Sequence, residues 1–254
     1  MLYCCIPVHD EAPTIGVLLW RIRAVFREYS REFEIVVYND GSTDATAETL
    51  AGYTEALPLT VIGSKERRGY AAALDALCRH AAKSARYARR DAMILLQGDF
   101  TDPPEHIPEL VKRFEGGADV VLAERAISDG APAEVRRLRR FAPWVLRPFV
   151  QLPGISDPFA TMRLMRIATV KDVVKAAGDQ LVVRGEDWAA NLDLLAATLP
   201  HTRRVETVTF APRYDLRLRP TRRHAWRDAM QLGSWAWSAR SRLRAAAARR
   251  PTAL

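Results

Sequence analysis

Residues 2–8 (LYCCIPV) are an apolar run that stops at a polar loop, the mark of a strand buried on both faces. Ile15, Leu18, Leu19, Ile22, Val25 and Phe26 then recur at helical spacing, with Arg21, Arg23, Arg27 and Glu28 on the opposite face, so an amphipathic helix follows. Residues 34–38 (EIVVY) read as a second strand, and Thr43 or Asp44 can cap a helix starting near Ala45. A third strand is expected at 59–63, a helix at 69–83, a fourth strand at 91–97, a helix at 104–114 and a fifth strand at 119–124. This alternation predicts an α/β chain with a mostly parallel, doubly wound sheet and flanking helices. Such sheets bind ligands beyond the carboxyl ends of their strands, where the strand order reverses. Residues 9–12, 39–44, 64–69 and 97–103 are therefore the loops to inspect.

After Arg125 the pattern changes. Residues 134–152 mix arginines with Phe141, Trp144, Val145, Leu146 and Phe149, and Pro143 and Pro148 interrupt them. Residues 216–250 form a second basic-aromatic stretch, and from Arg213 onward eleven arginines face two acids, Asp215 and Asp228. The expected organisation is a main domain over 1–212 and a basic, Trp-containing helical segment over 213–254. The chain has 254 residues, 48% hydrophobic, enough for a substantial core, and its net charge of +8 favours an anionic partner. Cys4, Cys5 and Cys78 show no metal-binding or disulfide spacing and read as buried thiols of a reducing cytoplasm. No run approaches the ~18 apolar residues of a spanning helix, and no signal peptide is expected, because the strand-like run from Leu2 lacks a basic n-region. Nucleic acid is set aside, because the charge lies in Arg-Trp segments and no nucleic-acid motif is visible.

The chemistry concentrates in QGDFTDPPEHIPEL (97–110). A carboxylate at a strand's carboxyl end is well placed for a hard divalent cation, which commonly takes one or two carboxylates plus substrate phosphates. Asp99 is the main candidate ligand for Mg2+ or Mn2+, and Gln97 offers only a neutral oxygen. Asp102, ahead of Pro103 and Pro104, reads most simply as a helix cap. In YNDGSTD (38–44), Gly41 permits a tight turn, while Asn39 and Asp40 offer acceptors to a ribose hydroxyl or a base N–H.

Taken together, these stretches resemble family 2 glycosyltransferases with the GT-A fold, and among them the polyprenyl-phosphate hexosyltransferases of the dolichol-phosphate mannose synthase type. IPVHDE resembles the family's P-x-Y-N-E, with Pro7 and Glu11 in place and His9 and Asp10 substituted. VVYNDGSTDAT is similar to V-V-D-D-G-S-T-D-x-T, with Asn39 for the first Asp, and RGYAAAL (68–74) is similar to G-Y-G-A-A-L. QGDFTDPPEHIPEL resembles D-A-D-L-x-D-P-P-E-x-I-P-x-L, with Gln97 for the first metal-binding Asp. DPFATMRL (157–164) follows D-x-x-S-G-F-R-L in spacing, and FAPRYDLRLRPTRR resembles a V-D-R-x-x-G-x-S-K segment. The resemblance implies a nucleotide-sugar site of Pro7, Glu11, Asn39, Asp40, Arg68, Gln97, Gly98 and Asp99, with Asp157 beside the chemistry. It also implies phosphate or acceptor contacts from Arg163, Arg213 and Arg219, through bidentate guanidinium bonds.

The implied reaction inverts the anomeric centre of a UDP- or GDP-hexose. A polyprenyl-phosphate acceptor needs no strong base, whereas a sugar hydroxyl does. RGEDW (184–188) bears on that choice, since hydroxyl-directed family members often carry Glu-Asp here with the Asp, here Asp187, as base. The same segment also aligns with the lipid-phosphate group's G-Y-x-F-x-x-E-L, with Trp188 for Phe and Asn191 for Glu, and Asp187 is then a helix-start acid. The Arg-Trp stretches tilt the reading to a lipid acceptor, because such segments lie well in an anionic headgroup layer. The expected location is the cytoplasm, peripheral on the inner face of the plasma membrane, with room for a separate membrane partner. The rivals are a hydroxyl-acceptor transferase and a degenerate nucleotide-sugar-binding scaffold.

Overall fold

A computed structural model of the chain describes residues 1–126, 133, 136–137, 154–185, 187–210 and 225–241. Its centre is β1 (Leu2–Val8), buried along its whole length. It pairs in parallel with β2 (Phe33–Asp40), from Leu2 opposite Phe33 to Val8 opposite Asn39, and with β4 (Ala92–Leu95) on its other side. The third strand, β3 (Leu59–Ser64), extends the sheet beyond β2. The other half carries β5 (Val120–Arg125), β6 (Arg163–Arg166) and β7 (Val205–Phe210), giving the order β3-β2-β1-β4-β6-β5-β7. Only β6 is reversed, antiparallel to both β4 and β5, and β7 runs parallel to β5. The chain moves outward from β1 to β3 and then returns to β4, so the order reverses at the β1–β4 boundary. The carboxyl ends of β1, β2 and β4 meet there.

Successive side chains of β1 serve opposite faces, as the two-residue period requires. Cys4, Ile6 and Val8 join Leu18, Leu19 and Ile22 of α1 (Ala12–Glu28) and Leu110 and Val111 of α4 (Ile107–Glu115). Tyr3 and Cys5 join Leu74 and Leu77 of α3 (Tyr70–Ser84), Val170 and Val173 of α5 (Ile167–Ala177), and Leu192 and Leu195 of α6 (Asp187–Thr198). This is the doubly wound layering expected from the alternation. The last helix, α7 (Ala225–Ser238), adds Ala236 to the second core, Ala239 just beyond it joins too, and Trp235 packs against them. Met230 and Trp237 on the same helix are 67% and 62% exposed, so α7 both packs on its own chain and presents apolar side chains outward. The boundary expected between 212 and 213 lies outside the described residues. All three cysteines are free and buried, and burial pushes the Cys78 thiol up to about 12.

Three local readings change. The expected helix at 104–114 starts as a 3-10 turn (Pro104–His106), with Pro108 at the start of α4. No side chain caps it, and Asp102 is instead a fully buried ion-pair partner. The helix expected near Ala45 is short, α2 (Thr46–Ala51). Asp44 does serve its start, taking the Thr46 N–H at 3.0 Å, and also takes the Ala12 N–H at the start of α1 at 3.1 Å. The sequence pattern had offered neither β6 nor β7. Arginines bound the first, and the second alternates with Glu206, Thr207 and Thr209, as suits an edge strand.

Gly41 lies between two of the strand-end loops with φ +60, and a Cβ there would sit 2.6 Å from the Arg67 nitrogen and from the Glu66 carbonyl carbon. A left-handed residue with backbone on its open side admits only glycine. Gly41→Ala is expected to lower unfolding free energy by about 2–3 kcal/mol, read from urea denaturation. An unchanged midpoint would mean that loops 39–44 and 64–69 do not pack as described.

Candidate active site

The loops leaving β1 and β2 are laced together by side chains. Asp10, itself at φ +54, donates its N–H to the Ser42 hydroxyl at 3.0 Å and accepts the Thr43 N–H on Oδ1 at 2.8 Å. The Glu11 N–H reaches the Thr46 hydroxyl at 2.9 Å, the Glu11 carboxylate accepts from Thr14 at 3.0 Å, and His9 Nδ1 lies 2.8 Å from the Asp40 carbonyl oxygen. Asn39 turns its Oδ1 onto the Ser42 N–H at 3.1 Å. The buried Asp40 carboxylate takes the backbone N–H groups of Arg68 and Gly69 at 2.7 and 2.9 Å. Of the two acceptors expected to face a ribose or a base, Asn39 thus closes its own turn and Asp40 holds the loop that starts α3, where the Arg68 side chain is exposed at the rim.

The loop after β4 is pressed against the same place. A Cβ on Gly98 would lie 3.0 Å from Val8 Cγ1, 3.5 Å from Glu11 Cγ and 3.7 Å from the Pro7 carbonyl oxygen. That close approach leaves little room for a side chain at 98 and brings Gln97, Gly98 and Asp99 onto Pro7 and Glu11. Asp99 is 7% exposed, and its Oδ1 takes the N–H of Thr101 at 3.1 Å and its hydroxyl at 2.5 Å. Gln97 Nε2 donates to the Tyr70 hydroxyl at 2.8 Å, and Tyr70 donates onward to Asn191 Oδ1 at 3.1 Å. Burial pushes the Tyr70 hydroxyl up to about 12, so it is a neutral donor at physiological pH.

Beneath these loops lies an ionic layer that sequence reasoning placed differently or missed. Arg163, expected at a phosphate, is 1% exposed. Its Nη1 donates to the Asn191 carbonyl at 3.0 Å and its Nη2 to the Ala160 carbonyl. Burial pulls its guanidinium down to about 10, against the opposing pull of Tyr70 and Asp157, so it stays charged and braces the site from below. Asp102 accepts from Arg125 Nη2 at 2.6 Å and from the Thr161 hydroxyl at 2.6 Å, joining the loop after β4 to the segment before β6. Glu124, buried at the end of β5, takes the Ser156 N–H at 2.6 Å, the Ser156 hydroxyl at 2.5 Å and the Asp157 N–H at 3.2 Å. Glu124 obeys the same rule as Asp99, a carboxylate closing a buried strand, and the sequence pattern alone marks it only as the end of that strand. Asp157 takes the Phe159 N–H at 3.2 Å. Asp187 opens α6, and Arg213 and Arg219 lie outside the described residues.

For a divalent cation, the described residues hold no group of three His, Cys, Asp or Glu side chains. Asp99 is the one carboxylate of the QGD turn, and Gln97, its Nε2 turned to Tyr70, has only its amide oxygen to offer. This donor set fits a hard cation bound chiefly through diphosphate oxygens and water, with Asp99 as its protein anchor.

The profile of the family described as "Glycosyl transferase family 2" matches residues 3–174, a span that contains all of this geometry up to α5. The chain belongs to glycosyl transferase family 2. Among curated family 2 relatives, it is 39% identical over 123 residues to the undecaprenyl-phosphate 4-deoxy-4-formamido-L-arabinose transferase of Pseudomonas aeruginosa (strain LESB58), covering 48% of this chain and 34% of that protein. It is 32% identical over 185 residues to the prophage bactoprenol glucosyl transferase homolog of Escherichia coli (strain K12), covering 71% of this chain and 56% of that one. The aligned chain thus spans about a third to just over half the length of these relatives. Glucosyl-3-phosphoglycerate synthase from Mycobacterium tuberculosis, solved with phosphoglyceric acid, superposes with a TM-score of 0.63 at 16% identity, over 98% of this chain and 80% of that one. The structure of S. aureus TarS 1-349 with UDP-GlcNAc superposes at 0.56 and 16% identity, over 92% and 66%. The fold is the GT-A fold of this family, as its sequence resemblance implied.

In this family 2 chain the Thr43 N–H holds the Asp10 carboxyl below its ordinary value of 3.8. A depressed carboxylate contributes stability that is complete above the unfolded value and is lost as pH falls through the folded one. Asp10→Asn keeps a side chain that tolerates the left-handed backbone and removes only the charge. It is expected to cost about 1 kcal/mol at pH 7, and the gap from the unsubstituted chain should close as pH drops below 3.8. Urea midpoints between pH 7 and 3 check this, and a gap that widens on acidification has the wrong sign.

Proposed function

We propose that this chain is an inverting glycosyltransferase that moves a hexose from a UDP- or GDP-sugar to a polyprenyl phosphate at the cytoplasmic face of a membrane. The observation that carries the reading is the meeting of the β1, β2 and β4 loops around Asp99, locked by the Gly98 contact with Pro7 and Glu11. The named activities of the undecaprenyl-phosphate and bactoprenol relatives support the acceptor class. Met230 and Trp237, exposed on α7 with Arg240 4.8 Å over the Trp237 ring, support a membrane-facing surface for that helix. Among the described residues no helix is long and apolar enough to cross a membrane.

Asp99 and the Gln97 amide oxygen would hold Mg2+ or Mn2+, which when bound neutralises charge developing on the departing diphosphate. The chain's own part is placement. Pro7, Glu11 and the 39–41 turn wall the nucleotide end, and Arg68 stands at the rim for the diphosphate. The acceptor approaches from the side of Asp157 and the start of α6, opposite the leaving group, as inversion requires. A phosphate monoester arrives already anionic, so positioning and charge stabilisation carry the rate. A hydroxyl acceptor would instead need Asp187 to take its proton.

Asp99→Asn is expected to lower transfer by about 100-fold or more with the fold retained, in an assay of radiolabelled sugar passing from nucleotide to acceptor. Asp187→Ala should retain activity with a lipid phosphate, and label should partition into organic solvent. Loss of activity in Asp187→Ala with water-soluble product assigns the hydroxyl acceptor instead. Binding of nucleotide-sugar without turnover by the unsubstituted chain assigns the scaffold.

A further inference from the structure

The first Asp of the family's metal motif is Gln97 here, and the structure gives that departure a local use. The Tyr70 hydroxyl stands between two amides, receiving from Gln97 Nε2 at 2.8 Å and giving its single proton to Asn191 Oδ1 at 3.1 Å. Tyr70 begins α3, Gln97 follows β4, and Asn191 lies 2% exposed in α6 with its carbonyl taken by Arg163. A hydroxyl between two partners must receive from one and give to the other. A glutamine side chain can be the donor. An aspartate at 97 is one methylene shorter and has no N–H to give, so it could not make this bond. The backbone N–H of Gln97 is itself held by Asp102 Oδ2 at 3.3 Å, so the start of the turn is fixed independently of the side chain.

We propose that Gln97 is a positioning residue. Through Tyr70 and Asn191 it ties the diphosphate-side loop to the acceptor-side helix α6, in place of the metal charge that an aspartate would supply there. This rests on the transferase reading above for the words diphosphate and acceptor; the tie itself rests on the hydrogen bonds alone. Two consequences follow. A displacement at Asn191 of α6 reaches the Gln97–Asp99 turn through Tyr70, and the cation site works with one protein carboxylate and correspondingly loose affinity.

The test is a double-mutant cycle of Gln97→Ala and Tyr70→Phe in the full chain, read by melting temperature without metal and by separate KM and kcat. Tyr70→Phe removes one oxygen and is expected to melt about 3–6 °C lower. The double variant should melt no lower than Tyr70→Phe, and Tyr70→Phe, which leaves the Gln97 amide oxygen in place, should reduce kcat about tenfold while leaving the donor KM within about twofold. Gln97→Asp, titrated with Mn2+ in the presence of UDP by electron paramagnetic resonance, should bind the ion about tenfold tighter while melting lower without metal. Additive melting losses in the cycle, or Mn2+ bound no more tightly by Gln97→Asp, overturn the proposal. Absence of any transfer by the unsubstituted chain overturns the transferase reading, and the melting cycle still decides the tie.

Discussion

The site depends on carboxylates that accept backbone N–H groups from neighbouring loops. Asp40 holds residues 68 and 69, Asp10 holds Thr43, Asp44 holds the starts of two helices, and Glu124 holds Ser156 and Asp157. Strand ends leave their loops without a ladder to satisfy them, and buried N–H groups must find acceptors somewhere. An ionised acceptor makes a bond roughly twice as strong as a neutral one. Six parallel strands and one reversed strand position the loops, and these carboxylates turn several irregular segments into one rigid rim. Without them the close approach of Gly98 to Pro7 and Glu11 would have nothing holding the opposite wall in place.

Much of the sheet was legible because β1, β2, β4 and β5 are buried on both faces and read as continuous apolar runs. β6 was not, because its ends are arginines whose charges are met inside the protein. Arg166 reaches Asp119 at 2.7 Å and lies 4.3 Å over the Phe114 ring, while Arg163 is braced by backbone carbonyls. A pattern of apolar letters does not reveal a buried cation whose partners come from distant segments. The gathering of Pro7, Glu11, Asn39, Asp40 and the 97–99 turn followed from the rule for doubly wound sheets. The direction of their side chains did not, because Asn39 turns back to the Ser42 N–H of its own loop and Asp40 turns to backbone donors at 68 and 69. Asp102 illustrates the same limit. Two following prolines made a cap the simplest reading, and only the fold brings Arg125 and Thr161 to it.

The two sides of the site are held by different means. The loops after β1, β2 and β4 are fixed to one another through carboxylates and the close Gly98 contact. The helix α6 is seated by the apolar packing of Leu192 and Leu195 and is joined to the 97–99 turn through Tyr70.

The Glu124 clamp joins points 32 positions apart in the chain. Tying two such points costs chain entropy that grows only slowly with the length between them, by about 0.6 kcal/mol for each doubling. Three bonds to one buried carboxylate therefore hold the segment ahead of β6 in register with the end of β5, and the placement of Asp157 is fixed by that carboxylate rather than by its neighbours in the sequence.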